Sequence, residues 1–179
     1  MTKYLPLTVF FGAGCFLASC AEQQPKHAAA KPATHRMEKV RTTAYTKSEK
    51  GGPHNAIGTY LSSRHVMSAA SDWSRFPLGT RFRIVGTNEE YVIDDYGSAL
   101  VGTNTIDLYK PTRLDMKRWG VRNVDIDILQ WGSEEQSLKV LGPRARHKCP
   151  RQMIASLQRK NTIASQRKSS SKPVPATAD

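Results

Sequence analysis

Between residues 41 and 141 the chain breaks into short runs of alternating apolar and polar positions, separated by Gly, Pro and Asn. A period of two marks a strand with one buried face, and the breaks between runs are turn chemistry. In residues 80–85, Phe82 and Ile84 share one face while Arg81 and Arg83 share the other. Gly86-Thr87-Asn88-Glu89-Glu90 turns the chain, and Tyr91, Val92 and Ile93 form the next strand. Residues 105–109 set Ile106 and Leu108 against Asp107 and Tyr109. Residues 124–128 alternate strictly, which makes Asp125 and Asp127 acids of a strand surface rather than a catalytic pair. Phe76-Pro77-Leu78-Gly79 predicts a turn, because proline pre-sets φ. One short helix interrupts the pattern: Thr112 and Asp115 have capping-box spacing after Pro111, Leu114 and Trp119 supply an apolar side, and Gly120 stops it. Many short strands with one helix before the last predict a mainly β fold closed into a compact barrel, not a parallel α/β sheet.

The flanks lack this period. Residues 1–19 read as a signal peptide, with Lys3 as its positive start and an apolar stretch over residues 4–17 that is too short, and too broken by Pro6 and glycine, to span a membrane as a stable helix. The stretch ends in Leu17-Ala18-Ser19-Cys20, which resembles the lipobox of bacterial lipoproteins and implies a lipid anchor at Cys20. Ala21 stands where an inner-membrane retention signal would place Asp, so the resemblance implies the periplasmic face of the outer membrane. Residues 20–40, rich in Ala, Pro, Lys and Gln, predict a flexible tether. Residues 142–179 predict a basic, mostly disordered tail, in which the spacing of Met153, Ile154 and Leu157 allows one short helix near residues 152–159.

Charge sharpens this division. The 179 residues carry a formal net charge of +12 and only 39% of them are apolar, enough for one modest core. Residues 39–142 hold 14 Lys/Arg and 12 Asp/Glu, a balance of +2, whereas residues 143–179 hold 9 Lys/Arg against Asp179 alone, a balance of +8. The basicity belongs to the tail, where it suits polyanions, including the carboxylates and phosphates of a cell wall. Basic residues interleaved with aromatics are sparse in the middle of the chain, so no nucleic-acid partner is expected. With Cys15 removed in the signal and Cys20 lipidated, Cys149 stands alone and no intrachain disulfide can form.

Three acids sit at strand ends or turns beside small residues: Asp72, Asp95 and Asp107. They lie within an ordered series: Thr43-Ala44-Tyr45-Thr46, Ser68-Ala69-Ala70-Ser71-Asp72, Phe76-Pro77-Leu78-Gly79-Thr80, Asp95-Tyr96-Gly97-Ser98-Ala99-Leu100-Val101-Gly102, Ile106-Asp107-Leu108-Tyr109 and Trp119-Gly120. This series resembles the 3D domain, a family named for three aspartates and found in MltA-type lytic transglycosylases and stationary-phase muralytic enzymes, with RlpA-like lipoproteins as more distant relatives. The resemblance implies a six-stranded double-psi β-barrel over residues 41–141 that cleaves peptidoglycan glycan strands without metal or cofactor. It implies Asp107 as the acid/base, Asp95 and Asp72 as shaping and polarising the groove, and Tyr45, Tyr96, Gly97, Ser98, Gly102 and Tyr109 as substrate contacts. The family's usual Asp-Thr-Gly-Gly reads Asp95-Tyr96-Gly97-Ser98 here, which places a bulky Tyr96 where a small hydroxyl residue is common.

The chemistry suits one principal carboxyl. Ordinary glycosidases need two at a defined separation. A lytic transglycosylase attacks with the C6 hydroxyl of the same N-acetylmuramic acid ring, and the high effective molarity of intramolecular attack lessens the need for a second. Asp107 must then be raised above the ~3.9 of a free aspartate, by burial or by repulsion from Asp95. A single Asp95-Tyr96-Gly97-Ser98 loop is half of an aspartic-protease pair. His54 and His65 lack partners at zinc-ligand spacing. Trp73, Trp119 and Trp131 are candidates for sugar stacking, and Asn55-Ala56-Ile57-Gly58 for the groove edge. A peptidoglycan-binding lipoprotein that keeps the barrel without activity is the alternative from a different class.

Overall fold

The computed structural model of the chain describes residues 35–49 and 51–170. The expected signal peptide, Cys20 and most of the expected tether lie outside the described residues. Six strands, β1 (His35–Tyr45), β2 (Val66–Ala70), β3 (Arg81–Ile84), β4 (Glu90–Asp95), β5 (Ile106–Tyr109) and β6 (Arg122–Gln130), close in the order β1-β5-β2-β4-β3-β6. The β1/β5 and β2/β4 seams are parallel and the other four antiparallel. The expected six-stranded barrel is therefore the fold, and closure leaves no strand with an unpaired edge.

The alternation read from the sequence fills this barrel. Phe82, Ile84, Tyr91, Ile93, Ile106, Leu108, Ile126 and Ile128 are all buried, with the Phe82 and Tyr91 rings stacked at 5.5 Å. Asp125 and Asp127 stay on the outer surface, where Asp127 pairs with Arg36 at 2.8 Å. Asp125 accepts the Lys39 N–H at 2.9 Å and so holds a bulge in β1 where Lys39 has φ 52°. The turn at Pro77 forms with Gly79 at φ 87°, and it seats against Gly132 beyond β6. A Cβ at Gly132 would strike the backbone of Pro77, Leu78 and Thr80, so only glycine fits.

Helix α1 (Arg113–Trp119) begins as predicted, the Thr112 hydroxyl accepting the Asp115 N–H at 3.1 Å, and ends at Gly120. Its apolar side differs from expectation: Leu114 is exposed, and Trp119 is half-buried between barrel and solvent. Lys110 and Arg122 lie over the Trp119 ring at 4.6 and 4.3 Å.

The flanks depart further from the sequence reading. Residues 35–40, expected in the tether, belong to β1 because β6 supplies hydrogen-bond partners from Ile128 back to Val124. After β6 comes α2 (Glu134–Leu141), capped by the Ser133 side chain, then a 3₁₀ turn (Gly142–Arg144) and α3 (Lys148–Ser170). Most of the expected disordered tail is thus a 23-residue helix. Its few apolar residues find a docking surface that no local pattern announces. Leu141, Met153 and Leu157 are fully buried in one cluster with Trp73, Phe76 and Leu78, and the Trp73 N–H meets the Met153 sulfur at 3.4 Å. Leu157→Ala should therefore lower stability by ~2–5 kcal/mol, the usual loss for emptying a leucine site in a core. Urea unfolding of the two proteins measures it, and an undocked tail would leave the midpoint unchanged.

Candidate functional site

Strand β2 lies between β4 and β5, and its last residue, Ala70, is paired with Asp95 on one side and Asp107 on the other. Two inter-strand steps of ~4.8 Å set the two acid backbones roughly 10 Å apart, with only a methyl group between them. The small side chain matters, because Ala70 forms the floor of a cleft of about 360 Å³ whose walls include Asp95 and Asp107. A larger residue would fill the space. Tyr45, Thr46, Glu49, Gly51, Gly52, His54, Asn55, Ala56, Tyr96 and Gly97 complete the lining.

A bulge aims the second acid. Ala69 pairs with Ile93 but Ala70 pairs with Asp95, so β4 carries one extra residue, Asp94, at this point. Asp94 turns inward, 8% exposed, and accepts hydrogen bonds from Ser68 Oγ at 2.6 Å and Asn55 Nδ2 at 2.9 Å. Asp95 turns into the cleft. Its Oδ1 accepts the Tyr96 N–H at 2.8 Å and its Oδ2 lies 3.5 Å from the Tyr45 hydroxyl. The Asp95 backbone is fixed from behind, the Trp73 indole donating to its carbonyl at 2.8 Å.

Burial pushes the Asp95 carboxyl up to about 6, helped by the charge of Asp94 and opposed by the Tyr96 amide. Burial also raises Asp107, against the hydrogen bond that Thr43 Oγ1 donates to its Oδ1 at 2.6 Å. Burial, the first of the two causes expected from the sequence, is thus the larger; the charge that adds to it is Glu49 rather than Asp95, and Arg41 partly offsets it. Tyr45 is half-buried beside these acids, and desolvation with their charges drives it well above the ordinary phenol range, so it stays a neutral donor.

The structure brings Asp95, Asp107, Tyr45, Tyr96 and Gly97 together and places the other expected site residues elsewhere. Asp72 is buried away from the cleft. Its Oδ1 accepts from the Ser74 N–H and hydroxyl at 2.8 and 2.7 Å, and its Oδ2 from the Gly102 N–H at 2.6 Å. Asp72 thus braces the loop that leaves Asp95, and Gly102 is the partner it holds there. Asp72 and Gly102 both line a separate cavity of about 390 Å³. Ser98 is exposed beyond the cleft, and Tyr109 is buried behind Tyr45, its ring 5.6 Å away. Trp73 is fully buried and offers no face to a sugar, while Trp131 stacks on Phe76 at 6.3 Å. Asn55 and Ala56 do edge the cleft, as read from the sequence. Glu49 and His54 also line the cleft, from a loop between β1 and β2 that carries no sequence motif to mark them. Among the described residues, no group of three or more His, Cys, Asp or Glu is arranged to hold a metal ion.

The raised acid has a measurable cost. An aspartate titrates near ~3.9 when unfolded, and Asp95 near about 6 when folded. Between these values the folded protein keeps a proton that the unfolded chain has lost, so stability falls as pH rises through this window. Asp95→Asn removes the titration and keeps an acceptor for the Tyr96 amide. Its melting temperature should exceed the parent's above pH ~6, and the difference should close on approaching pH ~4. Thermal unfolding across this range checks it; a pH-independent difference would contradict the assignment.

No family model matches the chain. It is similar to two Bacillus subtilis (strain 168) proteins. It is 35% identical over 98 residues to the cell wall shaping protein YabE, covering 54% of this chain and 24% of YabE. It is 32% identical over 93 residues to the cell wall-binding protein YocH, covering 50% of this chain and 31% of YocH. The matched stretch spans about a quarter to a third of each relative, close to the size of one barrel domain.

Proposed function

We propose that this is a cell-wall protein whose cleft receives a peptidoglycan glycan strand and cleaves the N-acetylmuramic acid–N-acetylglucosamine bond as a lytic transglycosylase. The observation that carries the reading is the pairing of Asp107 and Asp95 across Ala70 in one cleft, both raised by burial. Burial disfavours the charged form of Asp107 and so favours the protonated carboxyl that a general acid requires. The similarity to proteins named for wall shaping and wall binding supports the location.

Asp107 acts twice in this scheme. Thr43 engages its Oδ1, leaving Oδ2 to deliver the proton to the glycosidic oxygen as the C1–O bond breaks. The resulting carboxylate then takes the proton from the C6 hydroxyl of the same ring as O6 closes on C1, giving a 1,6-anhydro end and restoring the acid. Tyr45 steadies Asp95, which contributes negative charge beside the positive charge that develops at C1. Asp72 supports the loop around the cleft without reaching it. A second reading, a wall-binding protein without activity, draws on the relatives' names, which say shaping and binding rather than cleavage. Anchoring through a lipid at Cys20, on the outer membrane, belongs to the same proposal.

Asp107→Asn nearly preserves size and should leave the fold intact while cleavage of purified sacculi falls by ~10²- to 10⁴-fold. Mass spectrometry of released anhydro-muropeptides measures this, with folding matched by circular dichroism. Parent protein that binds sacculi and releases no anhydro products would replace the enzyme with the binding reading. Cys20→Ala should move the protein from the membrane fraction to the soluble fraction, and retention in the membrane fraction would remove the lipid anchor.

A further inference from the structure

Beside the cleft, residues 54–60 form a tight tip that displays two large apolar side chains to solvent: Tyr60 is 73% exposed and Ile57 46%. A single exposed apolar residue needs no explanation. Here the tip is built to hold them. Asn55, 7% exposed, sits at its centre, accepting the N–H groups of Ile57 at 3.2 Å and Thr59 at 2.9 Å and donating to Thr59 Oγ1 at 2.7 Å. The same amide donates to buried Asp94, so the tip is tied to the bulge that aims Asp95. Backbone bonds from Asn55 to Thr59, Gly58 to Asn55 and Leu61 to Pro53 close it, at 2.8, 3.0 and 2.9 Å. The Tyr60 ring lies 4.3 Å from the ring of His54, and His54 is part of the cleft wall.

We propose that the His54–Tyr60 tip is a glycan-stacking subsite that continues the cleft and takes the apolar face of a further N-acetylhexosamine ring. The proposal rests on the reading that the cleft receives a glycan. A pyranose presents C–H groups on one face and hydroxyls at its edge, and a rigid, solvent-facing aromatic matches that face while leaving the hydroxyls in water. Pre-ordering the tip through Asn55 and Asp94 removes the ordering cost that a free loop would incur on binding. A strand threading past Asp95 and Asp107 would leave the cleft over His54 and meet Tyr60 next, with Ile57 at its flank.

The test is calorimetric titration of chito-oligosaccharides of two to six sugars into the full chain, with sacculus pull-down in parallel. The parent should bind the hexamer more tightly than the dimer. Tyr60→Ala should bind the hexamer about tenfold more weakly, as for loss of one aromatic anchor, and leave dimer binding unchanged. Tyr60→Phe should retain the parent's length dependence, since the ring and not the hydroxyl makes the contact. Equal hexamer binding by parent and Tyr60→Ala, or a parent that binds sacculi but not the hexamer, overturns the subsite and leaves the wall reading standing. A parent that binds neither sacculi nor oligosaccharide overturns both.

Discussion

The arrangement of the site depends on one irregularity in strand pairing, the extra residue that β4 carries opposite Ala69 and Ala70. In a regular ladder Asp94 and Asp95 would simply alternate faces along the strand. With the bulge, one aspartate goes under the barrel rim to meet Ser68 and Asn55 and the next enters the cleft across Ala70 from Asp107. A register shift of this kind re-aims a side chain without disturbing the strands on either side, which is how bulges commonly serve functional sites. The parallel β2/β4 seam and the antiparallel β2/β5 seam then fix the positions of the two cleft acids together.

Placing carboxyls beside a closed apolar barrel opposes stability. Asp94, Asp95 and Asp107 are all raised by burial, so each is less comfortable ionised than in water. Hydrogen bonds from Ser68, Asn55, the Tyr96 amide and Thr43 offset part of that penalty and at the same time hold each carboxyl in one orientation. The same partners therefore contribute to folding and to pre-organisation of the cleft. Asn55 joins the two concerns directly, because it donates to Asp94 Oδ2 and orders the tip that borders the cleft.

The C-terminal helices brace this region from behind. Met153 and Leu157 of α3 and Leu141 of α2 are buried in one cluster with Trp73, whose N–H meets the Met153 sulfur, and Trp73 in turn holds the Asp95 carbonyl and meets the Tyr96 ring edge-on at 5.1 Å. Arg144 of the 3₁₀ turn reaches the Tyr96 hydroxyl at 3.4 Å. The bulky Tyr96 is thus accommodated by contacts with Trp73 and Arg144, one of them supplied from beyond the barrel.

What the chain determined by itself was the part governed by local period and turn chemistry. The alternation of Phe82 with Ile84 and of Ile106 with Leu108, the turn at Pro77 and the Thr112 cap need only neighbouring residues to operate, and each was legible. The aspartates stood out by type and position, yet their roles were not separable from sequence: Asp72 and Asp95 both sit beside small residues at strand ends, and only the packing shows one bracing Gly102 and the other facing a cleft. The bulge at Asp94, the approach of Glu49 to Asp107 and the docking of α3 on Trp73 were decided by tertiary structure alone. Each joins segments distant in the chain, so the free energy that selects it, a paired strand, a shared cleft or a buried apolar face, exists only after the barrel has closed.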